Sequence, residues 1–83
     1  MYRVDTDEQV QQQVDQLPAE TLASYAELRT LLEVNPWSGE LVNDENPDGP
    51  VRTLLFGRGF GLVTFLILKD QRRVDLLQVI WLG

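Results

Sequence analysis

The sequence predicts an α+β fold in which an N-terminal strand and a helical hairpin pack on a mainly antiparallel four-stranded sheet. Three observations support this class. Apolar residues recur at helical spacing over residues 8–33, a segment rich in Pro, Gly, Asn and Asp follows at 37–50, and apolar extended runs fill 51–82. At 83 residues the chain suits one small domain with a limited core, so residues 1–83 are predicted to form a single unit.

The first two elements are a short strand and a helix. Tyr2–Asp5 alternates apolar and polar residues, which is typical of a strand. Thr6 and Gln9 have the spacing of a capping box, so the first helix is predicted to begin there. Its apolar stripe consists of Val10, Val14 and Leu17, while the glutamines and Asp15 are placed on the solvent side.

A second helix follows after a tight junction. Leu17–Pro18 ends the first helix because proline disfavours a helical residue before it, and proline also suits a helix start. The second helix is predicted to run from Pro18 to about Glu33, and Asn35–Pro36 ends it. The two helices therefore form a hairpin, which a surface loop at Trp37–Pro50 joins to the rest of the domain.

The last third of the chain is predicted to form a three-stranded meander. The strands are Val51–Phe56, Leu62–Lys69 and Arg73–Leu82, with glycine-rich and polar turns between them. Because Leu62–Leu68 does not alternate, both of its faces should be covered, which places it at the centre of the sheet. Two helices can cover only one face, so the other face needs a partner protein, a second copy of the chain or the chain's own loop, and a partner-binding surface is the hypothesis.

Charge is divided unevenly along the chain. The net charge is −6, made of −9 over residues 1–50 and +3 over residues 51–83. An acidic protein is not a general polyanion binder, because that affinity comes from neutralising phosphates. The acidic total does not exclude a small basic site on the C-terminal third, where the net charge is positive. Arg72 and Arg73 are expected to be solvated charges in an exposed turn.

The composition also limits the chemistry. Cysteine and histidine are absent, which excludes disulfides, thiolate metal sites and the commonest general base and metal ligand, so no cofactor or metal is expected. The N-terminus lacks the order of a signal peptide, and the longest uncharged apolar run, 59–68, is ten residues where a membrane helix needs about 20. A soluble cytoplasmic protein without membrane association is expected.

The order of elements resembles the RelE/ParE toxin superfamily. Tyr2-Arg3-Val4 is similar to its first strand, Leu17-Pro18 to its helix junction, and Gly57–Phe65 to its hairpin. Further similarity lies in the loop after the second helix and in the closing apolar strand, at Pro36, Gly39, Leu41 and Val74–Ile80. The resemblance covers nearly the whole chain, although each motif by itself has low specificity.

The resemblance implies a toxin-like component of a type II toxin–antitoxin pair that binds a cognate antitoxin. The RelE branch cleaves messenger RNA on the ribosome, so a weak or degenerate mRNA endoribonuclease activity is one expectation. The alternative is a non-enzymatic inhibitor directed at DNA gyrase, as in the ParE branch, or a protein-interaction module on the same fold. A homo-oligomer through the apolar sheet face is a further possible assembly.

The candidate catalytic residues are Arg52 and Arg58, whose guanidinium groups suit phosphate. The resemblance matches Arg52 to a basic position on the first meander strand, and Arg58 lies in the hairpin turn near the family's basic cluster but not in its register. At other positions this chain departs from the family pattern. Gly61 or Leu62 stands where the family has its hairpin arginine, and Phe65 stands where it has its hairpin tyrosine. The family's terminal basic residues are replaced by Trp81 and Leu82. No obvious general base remains, and Asp75 or Glu40 could serve only in an arrangement that the sequence does not reveal. A structural or partner-binding role is therefore favoured for both arginines over a catalytic one.

Overall fold

The computed structural model describes residues 1–42 and 49–83. Its two helices are α1 (Glu8–Asp15) and α2 (Leu22–Val34). Its strands are β1 (Arg3–Thr6), β2 (Glu40–Leu41), β3 (Val51–Phe56), β4 (Gly61–Leu68) and β5 (Arg73–Trp81), with short 3₁₀ turns at 19–21, 36–38 and 69–71. The middle of the predicted loop, residues 43–48, lies outside the described residues.

The strands form one sheet in the order β1-β5-β4-β3-β2. β1 runs parallel to β5, and each of the other pairs is antiparallel. The α+β class, the helical hairpin, the meander and the central position of β4 are confirmed. The predicted count of four strands is corrected to five, because two residues of the predicted loop pair with Arg52 and Thr53 of β3.

The start of α1 differs by one residue from the prediction. Asp7, and not Thr6, is the N-cap, since its carboxylate accepts a 2.8 Å hydrogen bond from the Val10 amide. Thr6 is the last residue of β1. Likewise α2 begins at Leu22, because the residues after Pro18 first form a 3₁₀ turn. α1 follows its predicted stripe, with Val10 and Val14 buried. The helical spacing on α2 predicts a stripe of Leu22, Tyr25, Leu28 or Ala26, and Leu32, of which Tyr25, Leu28 and Leu32 are buried, whereas Leu22 is exposed because it is the first residue of the helix.

The core lies between the helices and one face of the sheet. α1 packs on β5, and α2 packs on β1 and β3. Alternate residues of β4 face the helices and are buried, namely Gly61, Val63, Phe65 and Ile67. Tyr25 of α2 meets the edge of Phe56 with ring centres 5.9 Å apart.

A bulge in β5 recruits a side chain from α1. Thr64 pairs with Gln78 while Phe65 pairs with Leu76, so Leu77 is the extra residue in β5. The side-chain oxygen of Gln13 accepts a 2.7 Å hydrogen bond from the Val79 amide just beyond the bulge. The placement of Gln13 on the solvent side is therefore wrong, because it is half-buried against the strand.

Candidate functional site

The face of the sheet opposite the helices is open to solvent, and we refer to it as the open face. On β4 it carries Leu62, Thr64, Leu66 and Leu68, which are half-buried where their neighbours are fully buried. The strand register adds Val51, Thr53 and Leu55 from β3 and Gln78 and Ile80 from β5. The surplus of apolar residues noted in the sequence therefore lies on this face.

Charged residues at the β1–β5 side of the open face neutralise one another, while Glu40 of β2, which pairs with Thr53, is exposed at the opposite edge. The Arg73 guanidinium holds Asp75 with two hydrogen bonds, from Nε at 2.8 Å and from Nη2 at 3.2 Å. Arg73 Nε also lies 3.6 Å from Asp5, and Arg3 Nε lies 3.1 Å from Asp5. Two arginines thus face two aspartates. The expectation that Arg73 is a solvated turn charge is wrong, because it is the first residue of β5 and is paired.

The hollow beside this ion-pair cluster is acidic. It measures about 470 Å³ and is lined by Asp5, Asp7 and Asp75 with Arg73 as its cation, together with Thr6, Leu76 and Leu77. Three carboxylates against one guanidinium repel a phosphate group. No group of acidic side chains within residues 1–42 and 49–83 is arranged to hold a metal ion.

Arg52 lies on the helix-facing side of β3, next to Phe65 of β4, with only 9% of its surface exposed. Its Nη1 donates hydrogen bonds to the carbonyl oxygens of Trp37 at 2.7 Å and Gly39 at 3.2 Å. Its Nε donates to the Gly49 carbonyl at 3.2 Å. The side chain therefore holds both ends of the segment that joins α2 to β3.

Arg58 lies in the β3–β4 turn and is exposed. The turn requires three successive positive φ angles, of 60° at Gly57, 61° at Arg58 and 89° at Gly59. Because a strand advances about 3.3 Å per residue, the Cα atoms of Arg52 and Phe56 are about 13 Å apart, and Arg58 lies beyond Phe56. The fold therefore places the two candidate arginines at opposite ends of β3, one buried and one exposed.

The family positions that depart from the pattern are also dispersed. Phe65 is completely buried, and it contacts the backbone so closely that a Cβ on Gly39 would lie 2.6 Å from its ring. Trp81 packs with Phe56 and Phe60, at ring-centre distances of 6.0 and 6.2 Å. Of these positions, Leu62 lies on the open face.

The candidate bases are equally separated. Asp75 on β5 is held by Arg73, and Glu40 lies on β2, three strand spacings away. That distance is about 14 Å at roughly 4.8 Å per strand. Tyr25 faces the core, where burial raises the pKa of its hydroxyl, partly offset by the Arg29 charge and the neighbouring Thr6 hydroxyl. Tyr25 is therefore a neutral phenol below the sheet and not a general base.

The chain has the fold of RelE toxins. The crystal structure of the isolated Escherichia coli RelE toxin superimposes with a TM-score of 0.81 at 12% identity, over 100% of this chain and 86% of that one. A chain of the intact E. coli RelBE toxin–antitoxin complex matches with a TM-score of 0.78 at 11% identity, over 95% of this chain and 94% of that one.

An archaeal structure shows the same similarity. A chain of the RelE–RelB complex from Pyrococcus horikoshii OT3 matches with a TM-score of 0.73 at 20% identity, over 99% of this chain and 96% of that one. No protein-family model and no curated protein matches the sequence. The described helices are all too short or too polar to cross a membrane.

Proposed function

We propose that this chain is the toxin-like component of a toxin–antitoxin pair, that it acts in the cytoplasm by binding a cognate antitoxin, and that its mRNA cleavage is weak or lost. The observation that carries the proposal is the match over at least 95% of the chain to RelE structures, two of which are complexes with RelB. The apolar open face supports it, because such surfaces are typical of protein partners.

The distribution of charge supports weak cleavage. Internal attack by a 2′-hydroxyl needs a base, an acid and cationic groups around the phosphate. On the described open face the ion-paired Arg3 and Arg73 are offset by Asp5 and Asp75. Arg52 is engaged with backbone carbonyls on the other side of the sheet. The net charge of −6 also opposes approach to a ribosome.

Co-expression tests the antitoxin partner. The chain is expressed with the product of the adjacent small reading frame, with a tag on that product alone. We expect the two proteins to elute together at fixed stoichiometry, and any growth arrest that the chain causes alone to be relieved by the second product. A chain that elutes separately and leaves growth unchanged would overturn the proposal.

A translated-mRNA assay tests the chemistry. The wild-type chain, in excess over ribosomes, is expected to leave most transcripts intact, with E. coli RelE as the positive control. Arg58→Ala is the informative variant, because Arg58 is exposed and its loss should not unfold the protein. Efficient cleavage that Arg58→Ala abolishes would restore the nuclease hypothesis, and inhibition of gyrase supercoiling without cleavage would favour the gyrase-directed alternative.

A further inference from the structure

The four residues of the ion-pair cluster form two rows on the open face. β1 and β5 run parallel, and Arg3 lies beside Arg73 while Asp5 lies beside Asp75. The residue between arginine and aspartate on each strand is buried against the helices, so all four charged side chains share the open face. A row of two arginines therefore lies about 7 Å along the strands from a row of two aspartates.

These two rows are complementary to the same two rows on a second copy of the chain. A two-fold axis that crosses the strands between the rows would place the arginine row of one copy over the aspartate row of the other, and the reverse. An axis along the central strand β4 would instead stack β1 on β2 and bring Glu40 toward Asp5 and Asp7 of the other copy, where like charges repel. Charge therefore selects the axis across the strands.

The acidic hollow beside the aspartate row has the charge to receive an arginine. It measures about 470 Å³ and holds three carboxylates against one guanidinium. The side chain of Arg3 is 71% exposed and that of Asp5 is 42% exposed, so both are accessible to another molecule. A guanidinium has several N–H donors and a carboxylate has several acceptor positions, so the pairs within one copy exhaust neither group.

Apolar side chains continue the two rows across the sheet. Leu66 of β4 pairs with Asp75, Leu68 pairs with Arg73, and Val51 of β3 pairs with Leu66. The same two-fold axis therefore places Leu66 of one copy over Leu68 of the other. These three apolar residues are half-buried in the single chain, so contact between two copies removes more of their surface from water.

The contact between two such sheets covers part of the open face. Sheets that pack face to face lie about 10 Å apart with their strands roughly 30° from parallel or antiparallel, and this arrangement meets both conditions. Because the charged rows lie near one end of the strands, Leu55, Leu62 and Ile80 at the other end remain uncovered and accessible to another partner. An interface of this limited extent is typical of weak complexes, with a dissociation constant of about 10–100 µM expected.

We infer that the chain by itself forms a two-fold symmetric dimer through the end of the open face that carries the ion-pair cluster. The arginines of each copy pair with the aspartates of the other, and Leu66 packs on Leu68. The occupant of this end of the face is therefore a second copy of the chain. The inference goes beyond the proposed function, because it concerns the chain without an antitoxin.

Sedimentation equilibrium of the chain alone tests the association. The average mass is expected to be that of a monomer at about 2 µM and to approach that of a dimer at about 500 µM. A monomer mass at the highest concentration would overturn the inference and leave the proposed function intact.

A charge exchange on β1 tests the pairing. Asp5→Arg places arginine over arginine, so the dimer is expected to weaken by about tenfold or more. Adding Arg3→Asp to this change exchanges the two signs and restores the complementarity, so the double variant is expected to recover most of the affinity. Asp15→Arg makes the same change in net charge on the exposed surface of α1 and should leave the dimer unchanged. Equal weakening by Asp5→Arg and Asp15→Arg, or a folded double variant that does not recover, would contradict the pairing.

Single cysteines test the orientation, because the chain has none of its own. Leu66→Cys protein is mixed with mass-tagged Leu68→Cys protein and treated with a short bis-maleimide. The mixed product is expected to form faster than either product between identical chains, because Leu66 faces Leu68 while identical residues are displaced by about 7 Å. Gln12→Cys, on the exposed surface of α1, is the control and should cross-link slowly.

Two results of this experiment would overturn the inference. One is a mixed product that forms no faster than the Gln12→Cys product. The other is a monomeric chain whose cysteine at position 66 loses its reactivity only when antitoxin is added, which would assign this end of the face to the antitoxin.

Discussion

The guanidinium of Arg52 donates a 2.7 Å hydrogen bond to the carbonyl oxygen of Trp37, and its central carbon lies 5.0 Å from the centre of the Trp37 ring. The Trp37 indole N–H in turn donates to the Tyr2 hydroxyl at 3.1 Å. One buried arginine therefore ties the turn after α2 to β3, and through Trp37 to the N-terminus. This structural role explains why a basic residue stands in the first meander strand, and no phosphate ligand is needed to explain it.

Replacing Arg52 is expected to destabilise the fold rather than to remove a binding or catalytic group. Arg52→Met leaves the buried carbonyls of Trp37, Gly39 and Gly49 without this donor, and we expect the free energy of unfolding to fall by about 3 kcal/mol. Arg52→Lys keeps the charge but not the planar fork, so an intermediate loss is expected. Urea denaturation measures both. A loss below about 1 kcal/mol for Arg52→Met would show that the clamp is unimportant.

Gly57 and Gly59 form a matched pair in the β3–β4 turn. Both have positive φ, but a Cβ on Gly57 would lie 2.6 Å from the Trp81 ring, whereas a Cβ on Gly59 would meet nothing within 4 Å. Gly59→Ala should cost about 1–2 kcal/mol from backbone strain. Gly57→Ala should cost clearly more, because Trp81 must also move. Equal thermal midpoints for the two variants would contradict this packing.

Removing the two aspartates of the ion-pair cluster should expose its cations. In the Asp5→Asn, Asp75→Asn double variant, Arg3 and Arg73 lose their partners, so RNA affinity at low salt is expected to rise several-fold and to decrease steeply with added salt. Asp15→Asn with Asp70→Asn makes the same change in net charge at exposed residues outside the cluster. Fluorescence anisotropy with a labelled single-stranded RNA measures both. A similar rise in the two double variants would mean that overall charge, and not the cluster, excludes RNA.

The buried hydroxyl of Tyr25 should make the stability of the protein depend on pH in the alkaline range. Its hydroxyl and that of Thr6 are buried without a well-formed hydrogen bond among the described residues, so Tyr25→Phe should change stability by less than about 1 kcal/mol near neutral pH. The folded pKa lies above the ordinary 10.0, so the unfolded chain releases the phenol proton first. Stability is therefore lost as pH rises above 10.

Tyr25→Phe lacks this ionisation, so its stability should decline less steeply than that of wild-type above pH 10. Urea midpoints at pH 8 and pH 10.5 give the comparison, and Tyr2→Phe is the control because Tyr2 is only partly buried. Parallel pH profiles for wild-type and Tyr25→Phe would contradict the burial of an un-ionised phenol.

Most of the fold follows from periodicity in the sequence. The helical stripe at Val10 and Val14, the proline at the helix junction and the continuous apolar run in β4 each predict their element, and the structure confirms them. β2 could not be predicted in this way, because a strand of two residues has no periodic pattern. It is a strand only because its residues pair with β3. Asp7 takes the capping role from Thr6 because β1 continues through Thr6 to pair with Leu76.

The positions of the basic side chains were less predictable than the fold. Whether such a side chain is buried or exposed depends on the face of the strand on which it lies. In β3 the residues alternate, and Arg52 falls on the same side as Phe56, toward the core. The sequence shows five basic residues after position 50 but not their separation. One is buried, one is paired with Asp75, and Arg58, Lys69 and Arg72 occupy turns at the two ends of the meander.

The proposed function combines binding of an antitoxin by this RelE-like fold with weak or absent mRNA cleavage. Size-exclusion chromatography with light scattering on the chain co-expressed with its neighbouring reading frame tests it most directly. We expect one peak whose mass equals a stoichiometric complex of the two proteins, and transcripts that survive addition of the chain after the partner has been removed. Two separate peaks, or a released chain that cleaves translated mRNA as E. coli RelE does, would contradict it.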